Sequence, residues 1–243
     1  MSWLNNLAHS VALRNWVEKN FILPVRSWKK LTASSSFHAE LLRLAQKDAA
    51  EYAYTHFHSA SYVSTKKDLY DFLESYLSVV SGLYLEFGVY KADSLNYFAS
   101  KFPEKIWHGF DSFEGLPSTW SGSAMPKGAF SLAGKLPSVQ KNVQLHKGWF
   151  SDTLPPFIER QQTAVGFIHF DADLYSSTNQ VLEILTPYIK QGSLFLFDEY
   201  FGHMSWRNHE HKAFTEWVAK NNVSYTPLVY SSSGALLVRI TSL

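Results

Sequence analysis

Two short acidic clusters are the residues in this sequence best suited to chemistry. Asp171-Ala172-Asp173 follows the apolar run Val165–Phe170, and Asp198-Glu199 follows the apolar run Leu194–Phe197. If both runs are strands of one sheet, their ends bring four carboxylates to a single edge. Carboxylates that close repel one another, and burial adds to the cost. The repulsion calls for raised pKa values, an Arg or Lys, or a cation. No basic residue lies within either cluster. The oxygen-only donor set suits Mg²⁺ or a similar divalent ion. The ordinary alternative is a solvated strand end carrying helix-capping acids.

A second group of residues suits a nucleoside. The run Leu83–Val89 ends in Glu86-Phe87-Gly88-Val89, and Gly88 permits a tight turn into a helix beginning near Ser94. The start of that helix offers free N–H groups to an anion. Asp111 stands 23 residues beyond Gly88, close to the separation of about 20 at which an acidic residue meets ribose hydroxyls. After Gly88 come Val89, Tyr90, Lys91, Ala92 and Asp93, with no second or third glycine. That argues against a loop gripping a dinucleotide pyrophosphate. A lone glycine also fits an ordinary strand-to-helix turn.

The elements that must position these groups follow from the hydrophobic pattern. Leu83–Val89, Ile106–Phe110, Val143–Leu145, Val165–Phe170 and Leu194–Phe197 are apolar on consecutive positions. This is the pattern of strands covered on both faces, hence of a parallel sheet. Helices fit at about Ser94–Lys101, Ser177–Lys190 and Asn208–Asn221, with Gly192 as a stop signal after the second. Tyr225–Tyr230 and Ala235–Ile240, joined by Ser231–Gly234, read as a hairpin with one antiparallel strand. Upstream, Thr65 is placed to cap a helix with Asp68 at its third position and Gly82 as its stop, and an earlier helix is expected from about Phe37 to Phe57. The fold class is α/β: a doubly wound, mostly parallel Rossmann-like sheet with a terminal antiparallel hairpin and an N-terminal helical extension. The expected division is an extension or cap over 1–64 and a main domain over 65–243. The Gly- and Pro-containing loop 114–142 is long enough to act as a lid.

Composition narrows the function. The chain has 243 residues, no cysteine and a formal net charge of +1, with 46% hydrophobic and 16% aromatic residues. Thiolate metal sites and disulfides are excluded. The balanced charge gives no reason to expect a nucleic-acid partner. No apolar run approaches the roughly 18–20 residues of a membrane span. The first residues lack the pattern of a signal peptide, so a cytoplasmic protein is expected.

In order along the chain, Glu86-Phe87-Gly88-Val89-Tyr90-Lys91, Asp111-Ser112-Phe113-Glu114-Gly115-Leu116-Pro117, Lys147-Gly148-Trp149-Phe150, Asp152-Thr153-Leu154-Pro155, Phe170-Asp171-Ala172-Asp173-Leu174-Tyr175-Ser176-Ser177-Thr178 and Asp198-Glu199-Tyr200 resemble the macrocin O-methyltransferase (TylF-type) family. The resemblance covers about residues 80–205. These are class I S-adenosylmethionine-dependent enzymes that methylate sugar hydroxyls of antibiotics and related glycosides. It implies that Glu86 and Gly88 border the methionine part of the cofactor, with Ser94 nearby. It implies that Asp111 binds the ribose hydroxyls, that Ser112 and Trp149 lie around the adenine, that Asp171, Asp198 and Glu199 hold Mg²⁺, and that Asp173 is the general base. Family members commonly carry glycines where Ala92 and Asp93 stand here, and Asp-Asp where Asp198-Glu199 stands. The expected function is S-adenosylmethionine-dependent, Mg²⁺-dependent O-methylation of a small sugar-like acceptor.

Other signals are weaker. His56/His58 and His209/His211 are two apart, a spacing that points helix side chains to different faces. His169 reads as a satisfied core histidine. His146 and His203 flank the expected site, and one of Tyr175 and Tyr200 is expected to line it. The basic, aromatic segment with Trp3, Trp16, Phe21 and Trp28 reads as a cap or a homodimer contact, ahead of a membrane-surface helix. A nicotinamide oxidoreductase is disfavoured by the missing glycines, and a metal hydrolase by the lack of a His or Cys ligand. A non-catalytic module on the same fold finds its best support in Ala92-Asp93.

Overall fold

The computed structural model describes residues 37–243. The readings made for Trp3–Trp28 therefore lie outside the described residues. Contacts divide the chain into a unit ending at Leu44 and a unit running from Ala45 to Leu243.

Helix α1 (Phe37–His56) leads to a short strand β1 (Ser61–Val63) and to α2 (Lys66–Leu77). The start of α2 follows its cap. Thr65 Oγ1 accepts the Asp68 N–H at 3.1 Å and donates to Asp68 Oδ2 at 2.7 Å. Alternating elements follow: β2 (Leu83–Phe87), α3 (Asp93–Lys101), β3 (Trp107–Asp111), β4 (Val143–Lys147), α4 (Phe150–Gln161), β5 (Val165–Phe170), α5 (Tyr175–Leu185) and β6 (Ile189–Phe197). Helix α6 (Glu210–Asn221) precedes the hairpin β7 (Ser224–Ser231) and β8 (Leu236–Ser242).

The strands form one sheet in the order β1-β7-β8-β6-β5-β2-β3-β4. Every pairing is parallel except those of β8, which runs antiparallel to both β6 and β7. All residues of β2 and β5 are buried, as consecutive apolar positions require when helices cover both faces. One core layer packs Leu154, Phe157, Val181, Phe214 and Trp217 from α4, α5 and α6 against the sheet. The other packs Leu69, Leu73, Leu95 and Phe98 from α2 and α3. Much of the aromatic content sits here. Phe170 and Phe197, on neighbouring strands, stack at 4.8 Å between ring centres.

Four details differ from the sequence reading. Gly82 stops no helix: α2 ends at Leu77, and Gly82 leads into β2. Gly192 lies inside β6, because Pro187 ends α5 in a single 3₁₀ turn, Thr186–Tyr188, and the strand begins at once. The short edge strand β1 went unforeseen. So did α4, whose interior holds Pro155 and Pro156. Interior prolines remove backbone donors and disfavour a helix, and the burial of Leu154, Phe157 and Ile158 offsets that cost.

The connections β2→β3→β4 walk toward one edge of the sheet, and β5 then returns to the opposite side of β2. The order reverses between β2 and β5. In open α/β sheets the ligand crevice lies beyond the strand ends at such a switch point.

Candidate active site

Gly88 and Asp171 meet at this switch point. The Asp171 N–H donates to Phe87 O at 2.9 Å, and the Asp198 N–H to Phe170 O at 3.0 Å, so the three strand ends stay in register. Gly88 has φ +91°, and a Cβ there would lie 1.8 Å from the Asp171 carbonyl oxygen. Only glycine allows this approach.

Asp111 ties down the turn after β2. Its Oδ2 accepts the N–H groups of Val89 and Tyr90, both at 2.8 Å, and its Oδ1 accepts that of Phe113 at 2.6 Å. Ala92, where the resemblance leads one to expect glycine, holds a left-handed φ of +64° as the N-cap of α3. It is fully buried, so its small side chain suits the packing while the backbone carries the strain.

A cavity of about 460 Å³ opens over these strand ends. Gly88, Asp111, Ser112 and Trp149 line it, together with Asp171, Asp173 and Glu199. Leu116, Pro117, Trp120 and Phe130 of the 114–142 loop form a further wall. That loop is built by its own backbone: Leu116 and Ala129 are hydrogen-bonded, and Leu132 and Gly134 both donate to Phe113 O. Its tip is fastened to the segment before α6. Ser205 Oγ donates to Ser121 O, and His209 Nε2 lies 3.0 Å from the same oxygen.

Not every expected residue reaches the cavity. Glu86 and Ser94 are absent from its wall. Ser94 Oγ, from the start of α3, donates to Glu86 Oε1 at 2.9 Å, and Glu86 Oε2 pairs with His169 Nδ1 at 2.9 Å between β2 and β5. His169 is thus a core histidine, as the sequence suggested, but only Nδ1 is satisfied: Nε2 is buried without a hydrogen-bond partner. His146 stacks on Phe110 and His203 packs edge-on against Trp120, and neither lines the cavity. Tyr175 donates to Glu216 and Tyr200 is buried among Phe57, Phe197 and His211, so the expectation that one of them lines the cavity is corrected. Tyr90, Trp120, Phe130 and Phe150 provide its aromatic surface beside Trp149, which is 42% exposed. Among the described residues, the groupings able to hold a metal contain no histidine besides His169.

The acids converge, and they bring unforeseen company. Lys66, the first residue of α2, places Nζ 2.6 Å from Asp198 Oδ2. His169 Nε2 lies 3.6 Å from Asp198 Oδ1. Glu210, wholly buried, accepts the Glu199 N–H at 3.2 Å. Burial would raise the Asp198 carboxyl, yet His169 and Lys66 outweigh it and hold the group near 2. His169 is pushed the other way: burial lowers it, but Asp198 and Glu86 carry it up to about 10. Asp171, Glu199 and Glu210 are all raised, chiefly by burial and then by the charge of Asp198. Burial and Asp198 push Asp173 up to about 7. Asp173 is also in the left-handed region, at φ +60°, a conformation Asp tolerates better than most residues.

The macrocin-O-methyltransferase (TylF) family model matches residues 79–226, a span that contains the whole cavity wall. The chain belongs to this family. A relative in Streptomyces olivaceus, 8-demethyl-8-(2,3-dimethoxy-alpha-L-rhamnosyl)-tetracenomycin-C 4'-O-methyltransferase, is 31% identical over 113 residues, covering 40% of this chain and 42% of that protein. The chain thus matches less than half of that relative's length. Among solved structures it is similar to the calicheamicin methyltransferase CalS11, with 25% identity, a TM-score of 0.58, and coverage of 70% of this chain and 76% of that one. An apo structure of CalS11 describes it as a TDP-rhamnose 3'-O-methyltransferase. The O-methyltransferase NovP shares the fold, with 20% identity, a TM-score of 0.55, and coverage of 69% and 75%.

The TylF site fits a divalent ion on three counts. Asp171, Asp173 and Glu199 offer ligand oxygens that all lie within 4.8 Å of one another. The donors are hard oxygens. Glu199 Oε2 is buried without a hydrogen-bond partner. The same cavity fits a nucleoside: a carboxylate at Asp111 and a half-exposed indole at Trp149 line it together with Gly88. Among the described residues, no helix is long and apolar enough to cross a membrane.

Proposed function

We propose that this chain is an S-adenosylmethionine-dependent O-methyltransferase acting on a hydroxyl of a sugar or glycosylated metabolite. The observation that carries the reading is that one cavity is lined both by Gly88, Asp111 and Trp149 and by Asp171, Asp173 and Glu199. The names of the S. olivaceus relative and of CalS11 both refer to rhamnose, and a deoxysugar is the acceptor class we favour.

Each residue then has a task. Asp111 accepts hydrogen bonds from ribose hydroxyls, and Trp149 and Ser112 border the adenine. Gly88 lets the ends of β2 and β5 close up beneath the ligand. Leu116, Pro117, Trp120 and Phe130 exclude water, with the 114–142 loop as the lid of a catalytic domain spanning 65–243. When bound, S-adenosylmethionine supplies an activated methyl group, and Mg²⁺ supplies the Lewis acidity that lowers the pKa of a sugar hydroxyl. Asp171 and Glu199 would hold the ion. Asp173 takes the proton from the acceptor hydroxyl as the oxygen gains the methyl group. The walls hold donor and acceptor in line, which is most of what a methyl transfer requires.

Titration calorimetry with S-adenosylhomocysteine tests the cofactor half, and absence of binding sinks the proposal. Transfer of labelled methyl to nucleoside-diphosphate deoxysugars tests the acceptor half.

A further inference from the structure

Most aromatic residues of the cavity are tied to Asp111. The Tyr90 N–H donates to Asp111 Oδ2, and Phe130 meets the Tyr90 ring edge-on at 5.6 Å. Trp149 follows Gly148, whose N–H donates to Asp111 O. Trp120 has different company. It belongs with Leu116 and Leu174 to a small apolar cluster apart from the two core layers, and Leu174 directly follows Asp173. His203 meets the Trp120 ring edge-on at 5.6 Å, and its Nε2 lies 3.2 Å from Glu199 O. Trp120 is thereby tied to the segments that carry Asp173 and Glu199, the acids assigned to the acceptor.

The seat of Trp120 is fixed by its neighbours in the chain. Gly122 has φ +76°, and a Cβ there would lie 2.4 Å from Ser205 Oγ, so the loop tip rests directly on the segment between β6 and α6. Ser205 Oγ donates to Ser121 O, and His209 Nε2 lies 3.0 Å from the same oxygen. Leu116 and Trp120 both line the cavity, yet each is only 8% exposed. Trp120 Nε1 is buried without a hydrogen-bond partner, so the surface this indole offers to the cavity is carbon. Such a surface receives a small apolar group rather than a whole sugar ring. A 6-deoxysugar carries a group of that kind, the methyl on C5. A hydroxymethyl in its place presses a hydroxyl against carbon and leaves it unpaired.

From this arrangement we propose that Trp120, supported by Leu116, is the specificity-determining residue for the acceptor: it receives the C5 methyl of a 6-deoxysugar and disfavours the hydroxymethyl counterpart. The inference rests on the proposed function, with Asp173 taking the proton. Trp120 acts by shape and apolarity and has no part in the proton transfer.

Rhamnose and mannose of the same configuration differ only by the hydroxyl on C6, and they provide the test. Each is offered as a nitrophenyl glycoside and as a nucleoside-diphosphate sugar, with labelled S-adenosylmethionine, and the form turned over faster supplies the ratio. Wild type should favour rhamnose by at least about tenfold in kcat/KM, since an apolar site rejects an added hydroxyl by up to about 10². Trp120→Ala should bring that ratio within about threefold of unity, with S-adenosylhomocysteine affinity within about threefold of the wild type. Trp120→Phe, which keeps an apolar ring, should retain a preference of at least about fivefold. General damage to the loop lowers both rates and leaves the ratio in place, so a purely structural role of Trp120 gives a different result. If wild type methylates both sugars equally, or if Trp120→Ala keeps the tenfold preference, the inference falls alone. If wild type binds S-adenosylhomocysteine but methylates neither sugar in either form, the acceptor half of the proposed function falls with it. Should Trp120→Ala unfold the chain, Leu116→Ala probes the same surface, and an undiminished preference there overturns the inference.

Discussion

Glu86 on β2 and His169 on β5 occupy matched positions of neighbouring parallel strands, and their side chains meet at 2.9 Å with no exposure to solvent. His169 continues toward Asp198, and Asp198 meets Lys66. Signs alternate along this line, so each buried charge has an opposite neighbour. Removing one member of such a set leaves an uncompensated buried charge, which costs about 3–5 kcal/mol. His169→Leu should therefore lower unfolding stability by that amount in urea titrations. A loss below about 1 kcal/mol would mean that Glu86 and Asp198 do not depend on the imidazolium.

Gly88 and Gly128 both have positive φ, +91° and +81°, yet their surroundings differ. A Cβ at Gly128 meets nothing within 4 Å, whereas at Gly88 it meets Asp171 O at 1.8 Å. Gly128→Ala should cost only the left-handed backbone term, roughly 1–2 kcal/mol. Gly88→Ala forces the ends of β2 and β5 apart and should abolish S-adenosylhomocysteine binding. Equal calorimetric and thermal-melt behaviour of the two variants would refute the assignment of Gly88 to the cofactor wall.

The main elements of the sheet, and its residues that face the cavity, were legible because both follow from local pattern. Runs of consecutive apolar residues marked doubly covered strands, and the polar residues after each run marked one sheet edge. Asp111, Asp171, Asp173 and Glu199 reach the cavity for that reason. Lys66 was not legible, since 132 residues separate it from Asp198 and only tertiary structure brings them together. Glu86 looked like a cavity residue because it precedes Gly88, but strand alternation turns its side chain inward toward His169. Helix α4 was hidden by Pro155 and Pro156, whose local effect is outweighed by the buried face around them.

His108 supplies a pH prediction away from the cavity. It is buried beside Phe157 and His146, with Nδ1 3.2 Å from His146 Nε2, and burial followed by the charge of His146 lowers its pKa from 6.5 to about 4. A histidine depressed in the folded state takes up its proton more readily when unfolded, so its contribution is present above the unfolded value and lost as pH falls from about 6.5 to about 4. The shift corresponds to roughly 3 kcal/mol across that window. His108→Phe, which keeps the aromatic contacts, should lose less thermal stability between pH 7 and pH 5 than the wild type does. Parallel melting curves for the two proteins would show that His108 takes up its proton equally in the folded and unfolded states.

Asp173 is the residue on which turnover should hinge. It lines the cavity beside Asp171 and Glu199, and its backbone sits at φ +60°. Asparagine tolerates that conformation as aspartate does, so Asp173→Asn removes the proton acceptor while keeping the turn. General-base catalysis by a positioned side chain contributes roughly 10²–10⁴-fold. The variant should lose at least a hundredfold in kcat for methyl transfer, with S-adenosylhomocysteine affinity within about threefold of the wild type. A rate within tenfold of the wild type would exclude Asp173 as the base, and equal losses of rate and cofactor affinity would mean that Asp173 shapes the cofactor wall.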